Sequence, residues 1–169
     1  MMAKKKIGIV MGSDSDLTIM KEAMNILKEF DVDFDVNIIS AHRSPERAHS
    51  YATEAEEKYD VIIAGAGGAA HLAGVVASLT PIPVIGVPMP TSGLGGLDSL
   101  LSMVQMPSGI PVSTMAIGKS GAMNAAILAI QIVSLSDPKI RQKMVLYKKK
   151  LSDDVAKKDK EARTELGLL

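Results

Sequence analysis

The chain has no cysteine and no tryptophan among its 169 residues, and only two Phe and three Tyr. Without cysteine there is no thiolate nucleophile, no disulfide framework and no Cys-ligated zinc site, and nothing points to an oxidising compartment. So few rings leave little to sandwich an isoalloxazine, so a flavin is poorly supported. Net charge is missing as well. Lys plus Arg and Asp plus Glu stand at 19 each, which removes the electrostatic case for a nucleic-acid partner. Long apolar runs are absent too. The basic start MMAKKK is followed only by IGIVMG before Asp14, too short for a secretory signal or a membrane span. The expectation is a soluble, cytoplasmic protein.

What charge there is lies unevenly. Residues 136–169 carry 10 basic and 6 acidic side chains, a balance of +4, whereas residues 1–135 carry 9 and 13, a balance of −4. Between Asp60 and Asp98 there is no Asp, Glu, Lys or Arg, and His71 is the one titratable group. Such a span must be almost wholly interior or interfacial. A chain of this length buries about 70% of its unfolded surface as one domain, so the expected division is an α/β domain over 1–135 and a helical tail over 136–169.

Apolar β-rich runs alternate with helical patterns, the signature of a parallel sheet with crossover helices. KIGIVM (6–11) is the first strand, and Leu17, Met20, Met24 and Leu27 then repeat at spacings of three and four on a helix from about Asp16 to Phe30. FDVNII (34–39) is the second strand. A single helix follows over SPERAHSYATEAEEKY, with Ser44 placed to cap it and Pro45 at its first position. DVIIAGA (60–66) lacks alternation, as a central strand buried on both faces must. A small-residue helix AAHLAGVVASLT, a strand at 83–89, a helix at 97–105, a strand at 112–117 and a helix at 124–135 complete five β-α units. The expected fold is a three-layer αβα sandwich around a five-stranded parallel sheet, of flavodoxin or Rossmann type, with a C-terminal helical extension. The 124–135 helix is apolar on every side, which one subunit of this size cannot easily cover, so a homo-oligomer is the natural remedy. The tail repeats Ile140, Met144, Tyr147, Leu151 and Val155 at steps of four, three, four and four. That stripe needs a groove, either on another subunit or back on its own domain.

In an open parallel sheet, ligands bind beyond the carboxyl ends of the strands. Three loops stand out there. GSDSD (12–16) precedes a helix, where backbone N–H groups favour an anion, although Ser13, Asp14 or Ser15 can equally serve as helix caps. A sugar hydroxyl pair suits Asp16. In IISAHRSPER (38–47), Arg43 can fork onto a phosphate while Ser40 adds a hydroxyl. His42 sits at a strand end, and an imidazole can in general both take and give a proton, although a surface turn histidine is commoner than a catalytic one. His42 and Arg43 are read as pointing opposite ways along an extended segment. His49, inside the second helix, reads as an exposed bystander. The third loop, GAGGAAH (65–71), lets a ligand approach the backbone at Gly65, Gly67 and Gly68. Its match to G-x-G-x-x-A is weak, because the acidic residue needed about 20 positions on to hold a ribose is absent, and close helix-on-strand packing explains the glycines as well. A phospho-receiver reading fails because the third strand does not end in aspartate.

Taken together, VMGSDSD, SAHRSPER, IIAGAGGAAHLAG, PVIGVP, GLDSLLSMVQMPSGIPV and AIGKSGAMNAA resemble the class I N5-carboxyaminoimidazole ribonucleotide mutases of bacterial purine biosynthesis, in order over roughly residues 6–135. The resemblance implies an isomerase that exchanges N5-carboxyaminoimidazole ribonucleotide with 4-carboxy-5-aminoimidazole ribonucleotide, using no metal, ATP or organic cofactor. It implies octamers in which a C-terminal helix packs on a neighbouring subunit. Carried over by position, Ser13, Ser40 and Arg43 hold the substrate phosphate and Asp16 the ribose, Ser15 is a further substrate-binding residue, and His42 is the general acid and base. The loop with Gly65, Gly67, Gly68, Ala69 and His71 lies against the aminoimidazole and its carboxylate. Ala73 stands where the family pattern has proline. Two rivals remain: a class II carboxylase using free carbon dioxide, and a non-catalytic nucleotide-binding module.

Overall fold

The computed structural model describes residues 6–168, so the basic N-terminal stretch lies outside the described residues except for Lys6. Five strands form one parallel sheet: β1 (Lys6–Met11), β2 (Asp33–Ile38), β3 (Val61–Ala66), β4 (Val84–Pro88) and β5 (Ser113–Thr114), in the order β2-β1-β3-β4-β5. The chain reverses direction across the sheet between β1 and β3, and in this topology the crevice outside those two strand ends is where ligands bind. Register makes the crevice flat-floored: Met11 pairs with Ile38 on one side and with Gly65 on the other.

Helices cover both faces. Val10, Ile62, Ala64 and Ala66 point into a core with Ala48 and Ala52 of α2 (Pro45–Thr53), Ala55 of α3 (Ala55–Lys58) and Leu72, Ala73 and Val76 of α4 (Leu72–Leu79). Met103 of α5 (Leu97–Val104) joins that core. On the opposite face Gly65 meets Met20 of α1 (Leu17–Glu29), because a side-chain carbon there would fall 2.8 Å from the Met20 sulfur. Lys119, opening α6 (Lys119–Ser134), lies 3.5 Å from Glu22 of α1. Small residues on the helices let them sit close to a fully buried strand, which is why β3 carries no polar side chain at all.

Four details differ from the sequence reading. The helix expected over 44–59 breaks at Glu54 into α2 and α3. Ser44 occupies the N-cap of α2, but its hydroxyl donates back to the Ser40 carbonyl at 2.9 Å instead of capping. The last strand is two residues long, not six, because Pro88 has no N–H to carry the ladder further. The helix expected from Asn124 starts at Lys119: Gly118 takes a left-handed φ of 76°, and Gly121 packs where a side-chain carbon would strike the Ala116 carbonyl oxygen.

The chain divides after Val133 into two compact units. The second is dominated by α7 (Pro138–Glu165), started by Asp137, whose carboxylate accepts from the Lys139 and Ile140 backbone N–H groups, with Pro138 at the first helical position. In its apolar stripe Met144 is buried and Ile140 and Tyr147 half-buried, whereas Leu151 is 44% and Val155 66% exposed. Among the described residues no helix is long and apolar enough to cross a membrane.

One crowded contact lends itself to measurement. Tyr51 Oη is buried with no hydrogen-bond partner among the described residues, burial pushes its phenol far up, and it stands 2.6 Å from where a side chain on Gly8 would begin. The Tyr59 ring lies 2.8 Å from the same point. Gly8→Ala is therefore expected to destabilise by about 1–3 kcal/mol through overpacking. Tyr51→Phe, which removes an unsatisfied hydroxyl, should be neutral or stabilising and should soften the Gly8→Ala loss. Urea unfolding of the two single variants and the double variant checks both.

Candidate active site

The cleft outside the β1 and β3 ends encloses about 450 Å³. Its first wall is the turn after β1. Ser13 caps a single 3-10 turn (Asp14–Asp16), its Oγ accepting from the Ser15 N–H at 3.4 Å while its own hydroxyl donates to Asp14. This turn projects Asp16 inward, where it is buried. Burial pushes the Asp16 carboxyl up, opposed by hydrogen bonds from the Ser15 hydroxyl and the Ser13 backbone.

The second wall is the loop after β2. Residues 41–43 form a tight turn, closed by the Ser44 N–H on the Ser40 carbonyl at 2.8 Å, and not the extended segment read from sequence. Arg43 is anchored through that turn. Its Nε and its backbone N–H both donate to Ser40 Oγ, and one guanidinium nitrogen reaches the Gly12 carbonyl at 3.4 Å. Most of the planar fork thus remains available to an anion. His42 turns across the cleft to the third wall.

That third wall is the glycine loop between β3 and α4. His71 occupies the N-cap position of α4, and His42 Nε2 sits 2.6 Å from His71 Nδ1, the rings edge to face with centroids 4.8 Å apart. A contact this short needs one N–H and one lone pair, so it couples the tautomers of the two rings. Both rings are exposed on the cleft side, within reach of a ligand.

Ser13, Ser15, Asp16, Ser40, His42, Arg43, Gly67, Gly68 and His71 are brought to this one cleft. Gly65 and Ala69 do not line it. Gly65 is buried in β3 between Met20 and Met89, and Ala69 is exposed. His49 lies on the exposed side of α2. Sequence reasoning passed over Met89, Pro90 and Thr91, which close the cleft at the end of β4; the strand-end rule that selected the other loops applies equally there.

An aspartate whose pKa is raised on folding weakens the fold above that pKa, and this penalty vanishes as pH falls below the ordinary aspartate range. Asp16→Asn is accordingly expected to raise stability at neutral pH, with the advantage fading on acidification. Urea unfolding at neutral and acidic pH would show it.

A family model described as AIR carboxylase matches residues 6–154. The N5-carboxyaminoimidazole ribonucleotide mutase of Pyrococcus abyssi is 60% identical over 144 residues, covering 85% of this chain and 82% of that protein. The mutase of the same name from Mycobacterium tuberculosis is 51% identical over 167 residues, covering 98% of this chain and 95% of its own. The crystal structure of Treponema denticola PurE matches with a TM-score of 0.85 at 29% identity, over 94% of this chain and 98% of that one. Fold, motif order and relatives agree, and the chain belongs to the AIR carboxylase family.

Proposed function

We propose that this protein is an N5-carboxyaminoimidazole ribonucleotide mutase of purine biosynthesis, an isomerase that moves a carboxyl group from an exocyclic nitrogen to a ring carbon. The observation that carries the mechanism is the His42–His71 contact, which lines the same cleft as the fork of Arg43. Relatives bearing the mutase name favour this reading over direct carboxylation.

The chemistry sets three tasks. Cleavage of the N–C bond leaves its electron pair on nitrogen, which takes up one proton as carbon dioxide departs. The ring carbon then attacks carbon dioxide and must shed its hydrogen. One proton is given and one recovered, so a single group can serve as acid and then base. His42 is that group, with His71 holding the other side of its hydrogen bond. Arg43, Ser40, Ser13 and Ser15 hold the phosphate and Asp16 the ribose, which fixes the ring beside the imidazole. The uncharged 61–97 span and the glycine loop wall the carbon dioxide. No metal or organic cofactor has a task in this scheme.

Uncovered apolar surface supports an assembly. On α5, Leu97, Leu101 and Val104 are all exposed at helical spacing, as are Leu151 and Val155 on α7. These faces support a homo-oligomer; by family resemblance it is an octamer with α7 packed on a neighbouring subunit, working in the cytoplasm.

Two measurements test the reading. Purified protein given N5-carboxyaminoimidazole ribonucleotide without ATP or metal should form the carbon-carboxylated isomer, and His42→Asn should still bind ribonucleotide while losing about 10²–10⁴-fold in rate. Near-normal turnover by that variant would remove His42 from the mechanism. Native mass spectrometry should find eight copies, and Leu151→Asp should shift the distribution to smaller species; a monomeric unaltered protein would end the assembly proposal.

A further inference from the structure

The first charged residue after the uncharged span is Asp98, which does not itself line the cleft. It reaches the cleft through Thr91. The atom Thr91 turns toward the glycine loop is its methyl: a side-chain carbon on Gly67 would lie 3.9 Å from Thr91 Cγ2 and 3.3 Å from Met89 Cβ. The hydroxyl is held elsewhere. Thr91 Oγ1 donates to Asp98 Oδ1 at 2.8 Å and accepts from the Gly96 N–H at 3.2 Å.

The surroundings hold this arrangement rigid. Gly96 has a φ of 96°, and a side chain there would fall 2.9 Å from the Met89 carbonyl oxygen. That same carbonyl accepts from the buried Ser99 hydroxyl at 2.9 Å. A threonine has three staggered χ1 wells, and a free hydroxyl can rotate among them. Swung toward the cleft, it would bring donor and acceptor sites that bind water.

We infer that Asp98 is a positioning residue that keeps the Thr91 hydroxyl out of the cleft, so that the wall beside Gly67 presents only carbon to the carbon dioxide released there. The inference rests on the mutase reading. Between loss of the N–C bond and formation of the C–C bond, carbon dioxide has no covalent tether and is a weak hydrogen-bond acceptor. Water bound at that wall competes with it for the space beside the ring carbon. Each molecule of carbon dioxide displaced strands one decarboxylated aminoimidazole ribonucleotide, which makes leakage countable.

The experiment gives N5-carboxyaminoimidazole ribonucleotide to the unaltered protein, Asp98→Ala, Asp98→Asn, Thr91→Val and the double variant Thr91→Val/Asp98→Ala. The readout is the ratio of decarboxylated ribonucleotide released to carbon-carboxylated isomer formed, corrected for loss in enzyme-free buffer. Asp98→Ala should raise the ratio about fivefold, the size of one net hydrogen bond, whatever it does to kcat. Asp98→Asn, which retains an acceptor, should hold the ratio low, as should Thr91→Val. The double variant should return to the unaltered ratio, because no hydroxyl remains to turn inward; a loop that had merely lost its shape would not be mended by valine. No rise in Asp98→Ala, or a rise that persists in the double variant, overturns the inference. If Asp98→Ala does not fold, Thr91→Ser decides, since it keeps the bond to Asp98 but removes the methyl beside Gly67 and must leak more. If the unaltered protein forms no isomer, the mutase reading itself has failed; if it forms isomer while the ratios stay fixed, only the role of Asp98 is refuted.

Discussion

The site depends on the backbone of Gly12. Its N–H donates to the Gly65 carbonyl at 3.0 Å, which locks the exit of β1 to the end of β3, and its carbonyl receives the Arg43 guanidinium from the loop after β2. Three chain segments far apart in sequence are thereby joined at one residue. Parallel pairing alone would bring the strand ends level; this pair of hydrogen bonds sets where the turns that follow can go. The serine and aspartate of the first turn, the histidine and arginine of the second and the glycines of the third share a cleft as a result.

Much of this was legible in sequence for a simple reason. Strands buried on both faces read as unbroken apolar runs and crossover helices as three-four stripes, so β1, β3, α1 and the order of elements follow from periodicity. Candidate side chains were found by the same logic, since polar residues just after an apolar run fall at strand ends. What could not be read was set by tertiary geometry. Ser44 carries a capping side chain at a capping position, yet its hydroxyl serves the Ser40 turn that anchors Arg43. Gly65 looked like part of a ligand loop, but Met20 and Met89 close over it from elements distant in sequence.

The β5 and α6 boundaries fail for related reasons. A β-rich run at 112–117 suggests a full strand, but pairing needs a neighbour with N–H groups to offer, and Pro88 withdraws one. Glycines at 118 and 121 suggest loop, whereas here each is what lets the helix begin: one by its left-handed turn, the other by having no side chain beside Ala116. Glycine marks a backbone requirement, and only the fold tells which.

The lack of charge from 61 to 97 has an effect beyond burial. Around the cleft, every formal charge sits on the β1 and β2 loops, while the walls from β3 and β4 are electrically silent but for His71. The field across the opening is thus one-sided, with the carboxylate of Asp16 and the guanidinium of Arg43 set on the same side and opposite in sign. Two opposite charges so placed act on the near atoms of a ligand and largely cancel farther off, where dissolved salt screens what is left.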